Sequence, residues 1–463
     1  MINDLKPYPE YRESATSWIG NIPSHWKVRR FKYILREQDL RSSDGKEQLL
    51  RVSQYTGVTQ RLRSDGLDEP DTRADSLVGY KNVAPDDLVI NIMLAWNGSL
   101  GVSRYNGIAS PAYCVYRFGS EAYPWYYHHL LRSPAYKARI KAISTGVVES
   151  RLRLYTDSLF RLESLLPPPD EQAAIVRFLN HVNHRIDRTI RAKRKVIALL
   201  NEQKQVIIHR AVTRGLNPNV KLKRSDISWL GDIPEHWEDL RSKYVFHEVD
   251  ERSVTGTETH LSMSQKYGLI PNSQIEERRL VSESYVGAKL CRIGDLVLNR
   301  LKAHLGVFAL APEPGLISPD YTVFRPARPM VARYFEAMYR TPACRVELRK
   351  RAKGIVQGFW RLYTDDFYDI RVPVPSLEEQ DKIMQYLDKE LSSINTVIAS
   401  TEREIELLRE YRTRLISDVV TGKLDVRQTA DRLPDEVEEL EAIDELDADS
   451  GELDDVGGVE DDV

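Results

Sequence analysis

Two long stretches of the chain carry apolar residues at the three- and four-residue steps of a helix. The first runs from Asp170 to Arg214 and the second from Leu377 to Thr421, and neither contains proline or glycine. Prolines precede both stretches, and Gly215 and Gly422 follow them, as is typical of helix ends. Each stretch is predicted to be one helix of roughly 60–65 Å, since a helix rises about 1.5 Å per residue.

The regions before the two helices have a different pattern. Short apolar runs such as Leu88–Leu94 and Tyr113–Phe118 alternate with segments rich in glycine, proline and aromatic residues. Apolar runs of this length between turn residues are typical of strands, and a helical stretch interrupts them near Trp125–Ile143. The pattern predicts an α+β fold in which two globular α/β domains are separated by the two long helices.

The sequence also repeats itself. Residues 17–26 (SWIGNIPSHW) and 228–237 (SWLGDIPEHW) are identical at seven of ten positions. Five shorter matches follow in the same order, 208 residues apart, among them Glu171-Gln172 with Glu379-Gln380. We infer a tandem duplication of about 210 residues, which predicts an internal pseudo-two-fold repeat. Because the first helix leads to the second globular domain and the second helix leads back, helices packed side by side must be antiparallel, as a coiled coil.

The repeat and the changes of pattern divide the chain into five segments. They are a first globular domain over 1–166, a first helix segment over 167–215, a second globular domain over 216–374, a second helix segment over 375–424, and an acidic tail over 425–463. The tail has few branched apolar or aromatic residues and is predicted to be disordered.

Composition narrows the class of protein. Of the 463 residues, 41% are hydrophobic and 29% are charged, as in a soluble globular protein. No stretch reaches the roughly 18 apolar residues that a membrane span requires, and the polar N-terminus lacks the apolar core of a signal peptide. The cysteines Cys114, Cys291 and Cys344 are too far apart in sequence for a disulfide framework or a zinc knuckle. A cytoplasmic location is therefore predicted.

The formal net charge of −3 conceals an asymmetry. Residues 431–463 contain 16 Asp and Glu against one basic residue, which leaves 65 Lys and Arg against 53 Asp and Glu in residues 1–430. A basic body favours an anionic partner such as nucleic acid. The acidic tail serves either solubility or competition with DNA for a basic surface, and the sequence leaves both open.

The sequence contains no recognisable catalytic constellation. A phosphate-binding loop, a dinucleotide-binding glycine turn, a nucleophile elbow and the segment that holds a flipped base for amino methylation are all missing. His181, His184 and Asp187 share one face of the first helix, but no second set of ligands matches them. We therefore predict a chain that is not an enzyme and binds neither a metal nor a cofactor itself.

Polar loops at matched positions of the two halves are the candidates for binding DNA. Arginine, glutamine and asparagine side chains are the commonest readers of base edges, and these loops lie in matching frames but differ in sequence. The candidates in the first half are Gln54, Tyr55, Thr59, Gln60, Arg61, Arg63, Asn97, Ser99, Arg151 and Arg153. Those in the second half are Gln265, Lys266, Tyr267, Asn272, Gln274, Lys302, His304, Gln357, Trp360 and Arg361.

The repeated segments resemble a known family. The W-(I/L)-G-x-I-P-x-H-W segment, the Gly-Leu-Ile-Ser-Pro segment at 315–319 and the proline-rich exit into Glu-Gln and a long helix are similar to those of type I restriction-modification specificity subunits. The resemblance covers about residues 10–425 and excludes the tail.

The resemblance implies a non-catalytic reader of double-stranded DNA. Its two globular domains would be target recognition domains, each for one half of a bipartite asymmetric target, and its helices would set the spacer. It also implies two methyltransferase subunits and motor-nuclease subunits as partners, directing adenine methylation of host DNA and restriction of unmodified DNA. S-adenosylmethionine, ATP and Mg²⁺ are expected on those partners.

Three alternatives remain at this point. The chain could be a stand-alone enzyme with an unfamiliar site, a coiled-coil scaffold that binds only protein, or the reader of a complex that methylates without restricting. The target bases and the spacer length are not readable from the sequence.

Overall fold

The structure is a computed structural model that describes residues 5–61, 74, 76–146, 152–227, 229–264, 267–274, 285–354 and 360–434, without the side chain of His304. The chain divides into two compact units. Unit 1 comprises Met1–Arg191 and Glu404–Val463, and unit 2 comprises Ala192–Arg403. Each unit therefore combines one globular region with a part of each long helix, whereas the sequence suggested helix segments separate from the globular domains. Those five boundaries stay a prediction.

The first half of the chain contains twelve strands and four α-helices among the described residues. The strands are β1 Tyr11–Glu13, β2 Asn21–Pro23, β3 Lys27–Arg30, β4 Leu35–Gln38, β5 Leu50–Ser53, β6 Gly57–Gln60, β7 Lys81–Val83, β8 Leu88–Asn91, β9 Leu100–Val102, β10 Gly107–Ala109, β11 Tyr113–Phe118 and β12 Glu163–Leu166. The helices are α1 Pro124–Arg132, α2 Pro134–Ile143, α3 Thr156–Arg161 and α4 Pro169–Arg214.

The second half follows the same order over its described residues. Its strands are β13 Leu222–Arg224, β14 Asp232–Pro234, β15 Glu238–Arg241, β16 Phe246–Val249, β17 Leu261–Ser264, β18 Gly268–Pro271, β19 Lys289–Cys291, β20 Leu296–Asn299, β21 Phe308–Leu310, β22 Gly315–Ile317, β23 Tyr321–Pro326 and β24 Arg371–Val374. Its helices are α5 Ala332–Tyr339, α6 Pro342–Arg351, α7 Thr364–Tyr368, α8 Leu377–Val420 and α9 Arg427–Asp431. The mixed fold and the two long helices predicted from the sequence are confirmed.

Each unit contains a four-stranded antiparallel sheet, and the two sheets match. Unit 1 has the strand order β4-β11-β8-β9, with Val115 opposite Val89. Unit 2 has the order β16-β23-β20-β21, with Val323 opposite Val297. Both members of the pair shift by 208 residues, so the sequence repeat is also a repeat of strand register.

The parts of the long helices that belong to one unit run antiparallel. In unit 1, Glu171 near the start of α4 and Gly422 just after the end of α8 both lie beside Trp26. Further along α4, Asp187 pairs with Arg412, which precedes Gly422 on α8. In unit 2, Gly215 after α4 lies by Glu379 at the start of α8, and Lys204 donates to Asn395 at 2.6 Å.

The repeated His-Trp and Glu-Gln segments form a joint between the globular region and the long helix of unit 1. Trp26 is 1% exposed, and its indole N–H donates to Glu171 Oε1 at 2.9 Å. His25 Nε2 lies 2.8 Å from Glu171 Oε2, and the hydroxyl of Tyr8 also donates to this carboxylate. Burial raises the pKa of Tyr8, so its hydroxyl keeps the proton that it donates. Three donors thus satisfy one buried carboxylate, as burial of a charge requires.

The same joint exists in unit 2. Trp237 donates to Glu379 Oε2 at 2.9 Å, and His236 Nε2 lies 2.9 Å from that oxygen. The neighbouring glutamines act alike, since Gln172 accepts from the backbone of Tyr123 at 2.8 Å and Gln380 accepts from that of Val331 at 2.9 Å. The most recognisable motif of the sequence is therefore structural.

The beginning of the predicted acidic tail is folded, which corrects the prediction of disorder from residue 425. Asp425 forms a β-bridge with Lys6, α9 follows, and Val426, Ala430 and Leu433 are all at most 5% exposed. Apolar burial against unit 1 orders this segment. Residues 435–463, which hold most of the acidic side chains, lie outside the described residues.

Candidate nucleic-acid interface

The first predicted DNA-binding loop of unit 1 is the turn of the β5–β6 hairpin. Gln54 is exposed, and Tyr55 is 82% exposed. Gln60 is exposed as well, whereas Thr59 is half-buried and its hydroxyl accepts from Arg51 Nε at 3.1 Å. The backbone N–H of Arg61 donates to Leu49 at 2.9 Å and so continues the hairpin. Arg63 lies outside the described residues.

The second loop is the turn after β8, and the structure gives Ser99 a role that differs from the prediction. Ser99 is 3% exposed, and its hydroxyl donates to Asn97 Oδ1 at 2.9 Å. The same oxygen accepts the backbone N–H of Ser99 at 3.2 Å. A buried hydroxyl with an internal partner is not offered to a base, so Ser99 holds the turn, and Asn97 is half-buried at its edge.

The third loop lies against the second. Leu154 donates its backbone N–H to the carbonyl of Ile92 at 2.9 Å. Arg153, one residue earlier, is exposed and forms a β-bridge with Thr145. Arg151 lies outside the described residues. The second and third loops, which are far apart in sequence, thus meet in unit 1.

The first loop of unit 2, between β17 and β18, contains another exposed tyrosine. Tyr267 is 66% exposed, and Gln274 is exposed. Asn272, by contrast, is half-buried, accepts from the hydroxyl of Ser262 and contacts His260 Nδ1. Its amide therefore holds the hairpin. Gln265 and Lys266 lie outside the described residues.

The other predicted residues of unit 2 occupy the matching turns. Lys302 is exposed beside the turn that contains His304, whose side chain lies outside the described part of the chain. Arg361 is exposed and forms a β-bridge with Lys353, while Trp360 is half-buried, with the guanidinium of Arg349 5.4 Å from its ring centre. Gln357 lies outside the described residues. Contact of any of these side chains with DNA stays a prediction.

Sequence reasoning missed Arg132, which connects two of the loops in unit 1. Its Nη1 donates to the carbonyls of Ser53, Gly98 and Leu100 at 3.3, 3.0 and 2.7 Å. Its Nη2 donates to the carbonyls of Gln54 and Tyr55 at 2.9 and 2.7 Å. One signal was available, because Arg132-Ser-Pro returns as Arg340-Thr-Pro after 208 residues.

A polar cavity of about 180 Å³ lies between the β5–β6 hairpin, α1 and α4 in unit 1. Burial holds the pKa of His128 well below its usual value and lowers that of His129 to about 4, so both are neutral at pH 7. His128 Nδ1 accepts the backbone N–H of Val102 at 3.2 Å. A Cβ on Gly57, whose φ is +79°, would lie 3.0 Å from His128, so the hairpin approaches α1 closely only with glycine there.

The helices of unit 1 carry positive charge beside this region. Arg185 and Arg188 on α4 are exposed, and the guanidinium of Arg104 lies 4.8 Å from the ring centre of Trp125. Exposed cations next to polar loops are what binding to a phosphate backbone requires. The residues that the structure describes include no group of three or more His, Cys, Asp or Glu able to hold a metal ion.

Known proteins resemble the chain in sequence and in fold. No protein-family model matches it. Over 279 residues it is 25% identical to the specificity subunit of the type I restriction enzyme MjaVIII of Methanocaldococcus jannaschii, across 57% of this chain and 62% of that relative. The chain is similar to type I specificity subunits. It spans less than two thirds of this relative's length.

Solved structures also resemble the chain in fold. One such structure concerns complex assembly and conformational transition of a type I R-M system. A chain from it is 17% identical to this chain, with a TM-score of 0.59 over 87% of this chain and 99% of that one. The HsdS subunit of Thermoanaerobacter tengcongensis is also 17% identical, with a TM-score of 0.43 over 88% and 98% of the two chains. The first of these two structures shows the fold alone. The resemblance to type I specificity subunits, predicted from the repeated motifs, is confirmed by the sequence similarity. None of the described helices has the length and apolarity needed to cross a membrane.

Proposed function

We propose that this chain is the DNA-recognition subunit of a type I restriction-modification complex and is itself not an enzyme. Each unit recognises one half of a bipartite, asymmetric DNA target, and α4 and α8 set the spacer between the halves. Two methyltransferase subunits dock on the helices, and motor-nuclease subunits complete the complex. S-adenosylmethionine, ATP and Mg²⁺ belong to those partners.

One observation carries the proposal: the same frame occurs twice, with different side chains on its loops. Tyr55 is the exposed tip residue of the hairpin in unit 1, and Tyr267, one position further along the repeat, is exposed in unit 2. The strands that flank each tip, β5 and β6 in unit 1 and β17 and β18 in unit 2, have equal lengths and the same pairing register. Two readers with one frame and different loops would recognise two different half-sites, which makes the target asymmetric.

The charge of the molecule supports the same function. The excess of basic residues in residues 1–430 and the exposed arginines on α4 would neutralise phosphates. The polar loops would then supply contacts with base edges, which phosphate contacts cannot provide.

Single-molecule methylome sequencing tests the proposal. Cells expressing this chain with its neighbouring methyltransferase gene should show one new split, asymmetric adenine-methylated motif that disappears when this chain is removed. A soluble complex without a new motif would support a protein scaffold instead. Methylation or cleavage by the isolated chain would support a stand-alone enzyme. A continuous motif would contradict recognition by both units.

A further inference from the structure

We propose that Arg132 is a positioning residue for recognition of the half-site that unit 1 reads. The inference rests on the proposed function and goes beyond it, because Arg132 itself reads no base. It holds the turn of the β5–β6 hairpin against the turn after β8, and the discrimination between bases by both turns depends on that placement.

Within the described part of the chain, the hydrogen bonds of Arg132 all go to backbone carbonyls. Its five acceptors are the carbonyls of Ser53, Gln54, Tyr55, Gly98 and Leu100, at 2.7–3.3 Å. The carbonyls of Gln54 and Tyr55 lie in the turn between β5 and β6, outside the sheet ladder, so each needs another donor or water. A planar guanidinium presents donors to several acceptors at once, which an ammonium group cannot do with the same geometry.

The position of Arg132 in α1 makes the connection rigid. Burial lowers the pKa of Arg132 to about 10, and the group therefore remains protonated at neutral pH. His128, one turn earlier on the same face of α1, is neutral and accepts from Val102, at the far end of β9 from the second turn. One face of α1 thus holds both turns through Arg132 and the end of β9 through His128.

Unit 2 shares one of these bonds and differs in its surroundings. Arg340 donates to the carbonyl of Phe308, the counterpart of the bond from Arg132 to Leu100. Glu336 occupies the position of His128, and its carboxylate lies 3.3 Å from Arg340 Nη2. Arg340 thus forms an ion pair with Glu336, whereas the described residues include no ion pair of Arg132. In unit 2 the guanidinium of Arg340 therefore binds both a backbone carbonyl and a carboxylate. In unit 1 the guanidinium of Arg132 binds backbone carbonyls in and beside the two turns.

Base readout requires donors and acceptors placed within hydrogen-bonding geometry, whereas attraction to phosphates tolerates small displacements. Freeing the turns should therefore reduce discrimination between bases more than overall affinity. The loss should also be confined to one half-site, because Arg132 contacts the loops of unit 1.

The test uses the full chain in complex with its methyltransferase and a DNA library randomised at both half-sites. Arg132→Lys and Arg132→Ala should lower base discrimination about tenfold at one half-site and leave the other half-site and the salt dependence of non-specific binding unchanged. Arg340→Ala should act on the opposite half-site. The matched control is Tyr126→Phe, which removes a 3.0 Å bond from α1 to Val420 without touching the turns and should change neither half-site.

Each outcome has a defined meaning. Equal loss at both half-sites, or no loss at either, would overturn the role of Arg132 while leaving the proposed function intact. Failure of both Arg132 variants to fold, judged by thermal unfolding, would also overturn it, since the residue would then support the whole fold. Absence of any bipartite motif for the wild-type complex would instead refute the proposed function.

Discussion

Arg412 of α8 donates to Asp187 of α4 in unit 1, and the contact has a counterpart in unit 2. A shift of 208 residues carries Asp187 to Asn395 and Arg412 to Lys204, and Lys204 Nζ donates to Asn395 Oδ1 at 2.6 Å. The duplicated helices have therefore kept the position of a contact while its chemistry changed from an ion pair to a hydrogen bond between a cation and an amide.

The two contacts should differ in strength. Arg412 and Asp187 are 28% and 27% exposed, whereas Asn395 and its bond with Lys204 are exposed. We expect Asp187→Ala to lower the free energy of unfolding by about 1–2 kcal/mol and Asn395→Ala to lower it by less than about 0.5 kcal/mol. Urea unfolding of the two variants measures this, and a larger effect of Asn395→Ala would contradict it.

The two joints between globular region and helix should also be unequal. Glu171 is 4% exposed and Glu379 is 25% exposed. Side chains of the described residues supply three donors to Glu171 and two to Glu379. Glu171→Ala leaves buried donors without an acceptor and should cost about 3 kcal/mol. Glu379→Ala, whose donors are closer to water, should cost about 1 kcal/mol. Denaturant titrations measure the free energy of unfolding of both variants. Equal losses in the two variants would contradict the expected difference between the joints.

Truncation should separate the folded beginning of the acidic segment from the rest of it. A chain that ends after Pro434 keeps α9 and Leu433, and we expect it to unfold at the wild-type temperature. A chain that ends after Leu424 loses the buried side chains of Val426, Ala430 and Leu433, at a cost of about 3–5 kcal/mol. Calorimetry compares the two, and an unchanged transition in the shorter chain would disprove the stabilising role of this segment.

Acid should destabilise unit 1 through His129. Its pKa is lowered to about 4 by burial and by the nearby charges of Arg132 and Arg104, whereas an unperturbed histidine has a pKa of about 6.5. The unfolded chain therefore binds more protons than the folded chain between these values, and stability falls as the pH drops through that window. The loss should be at most about 3 kcal/mol.

His129→Ala provides the control, because Ala337 occupies this position in unit 2. The variant should lose less stability than the wild type between pH 7 and pH 4, as measured by urea unfolding. His128, whose pKa is also lowered, keeps part of the dependence in both proteins. His184 and Asp187 line the same cavity and remain in both proteins. Identical pH profiles would show that His129 does not carry the effect.

The spacer of the target should follow the length of the helices. Removal of residues 192–198 and of their repeats, 400–406, takes two helical turns from α4 and α8 and preserves their apolar faces. The shortening of about 10 Å should reduce the spacer by about three base pairs, at about 3.4 Å each, and leave both half-sites unchanged. Methylome sequencing reads this directly, and an unchanged spacer would refute the role of the helices as a ruler.

Much of the fold was predictable because it depends on local pattern and on the repeat. The helical steps after Pro169 and before Gly215 and Gly422 predicted α4 and α8 to within a residue at each end. The burial of Ser99 was not predictable, since a polar residue in a turn is equally compatible with solvent and with an internal partner.

Arg132 escaped sequence reasoning for another reason. Its partners are backbone carbonyls, which carry no residue identity, and they lie in segments 32 to 79 positions away. The folded start of the predicted tail was missed because three apolar side chains among polar and charged residues are a weak signal until their partners in unit 1 are known.

In unit 1, residues 5–13 and residues 422–434 contact each other although no covalent link joins them. The matching positions of unit 2 belong to one continuous chain. Asp425 donates its backbone N–H to Lys6 at 2.8 Å, and the hydroxyl of Tyr11 donates to Gly422 at 3.1 Å. In unit 2 the chain runs directly from Gly215 into β13. The two halves are therefore connected in a cyclic order, and a circular permutant that joins Pro434 to Leu5 through a flexible linker and opens between Gly215 and β13 would keep these contacts with the order of the halves exchanged.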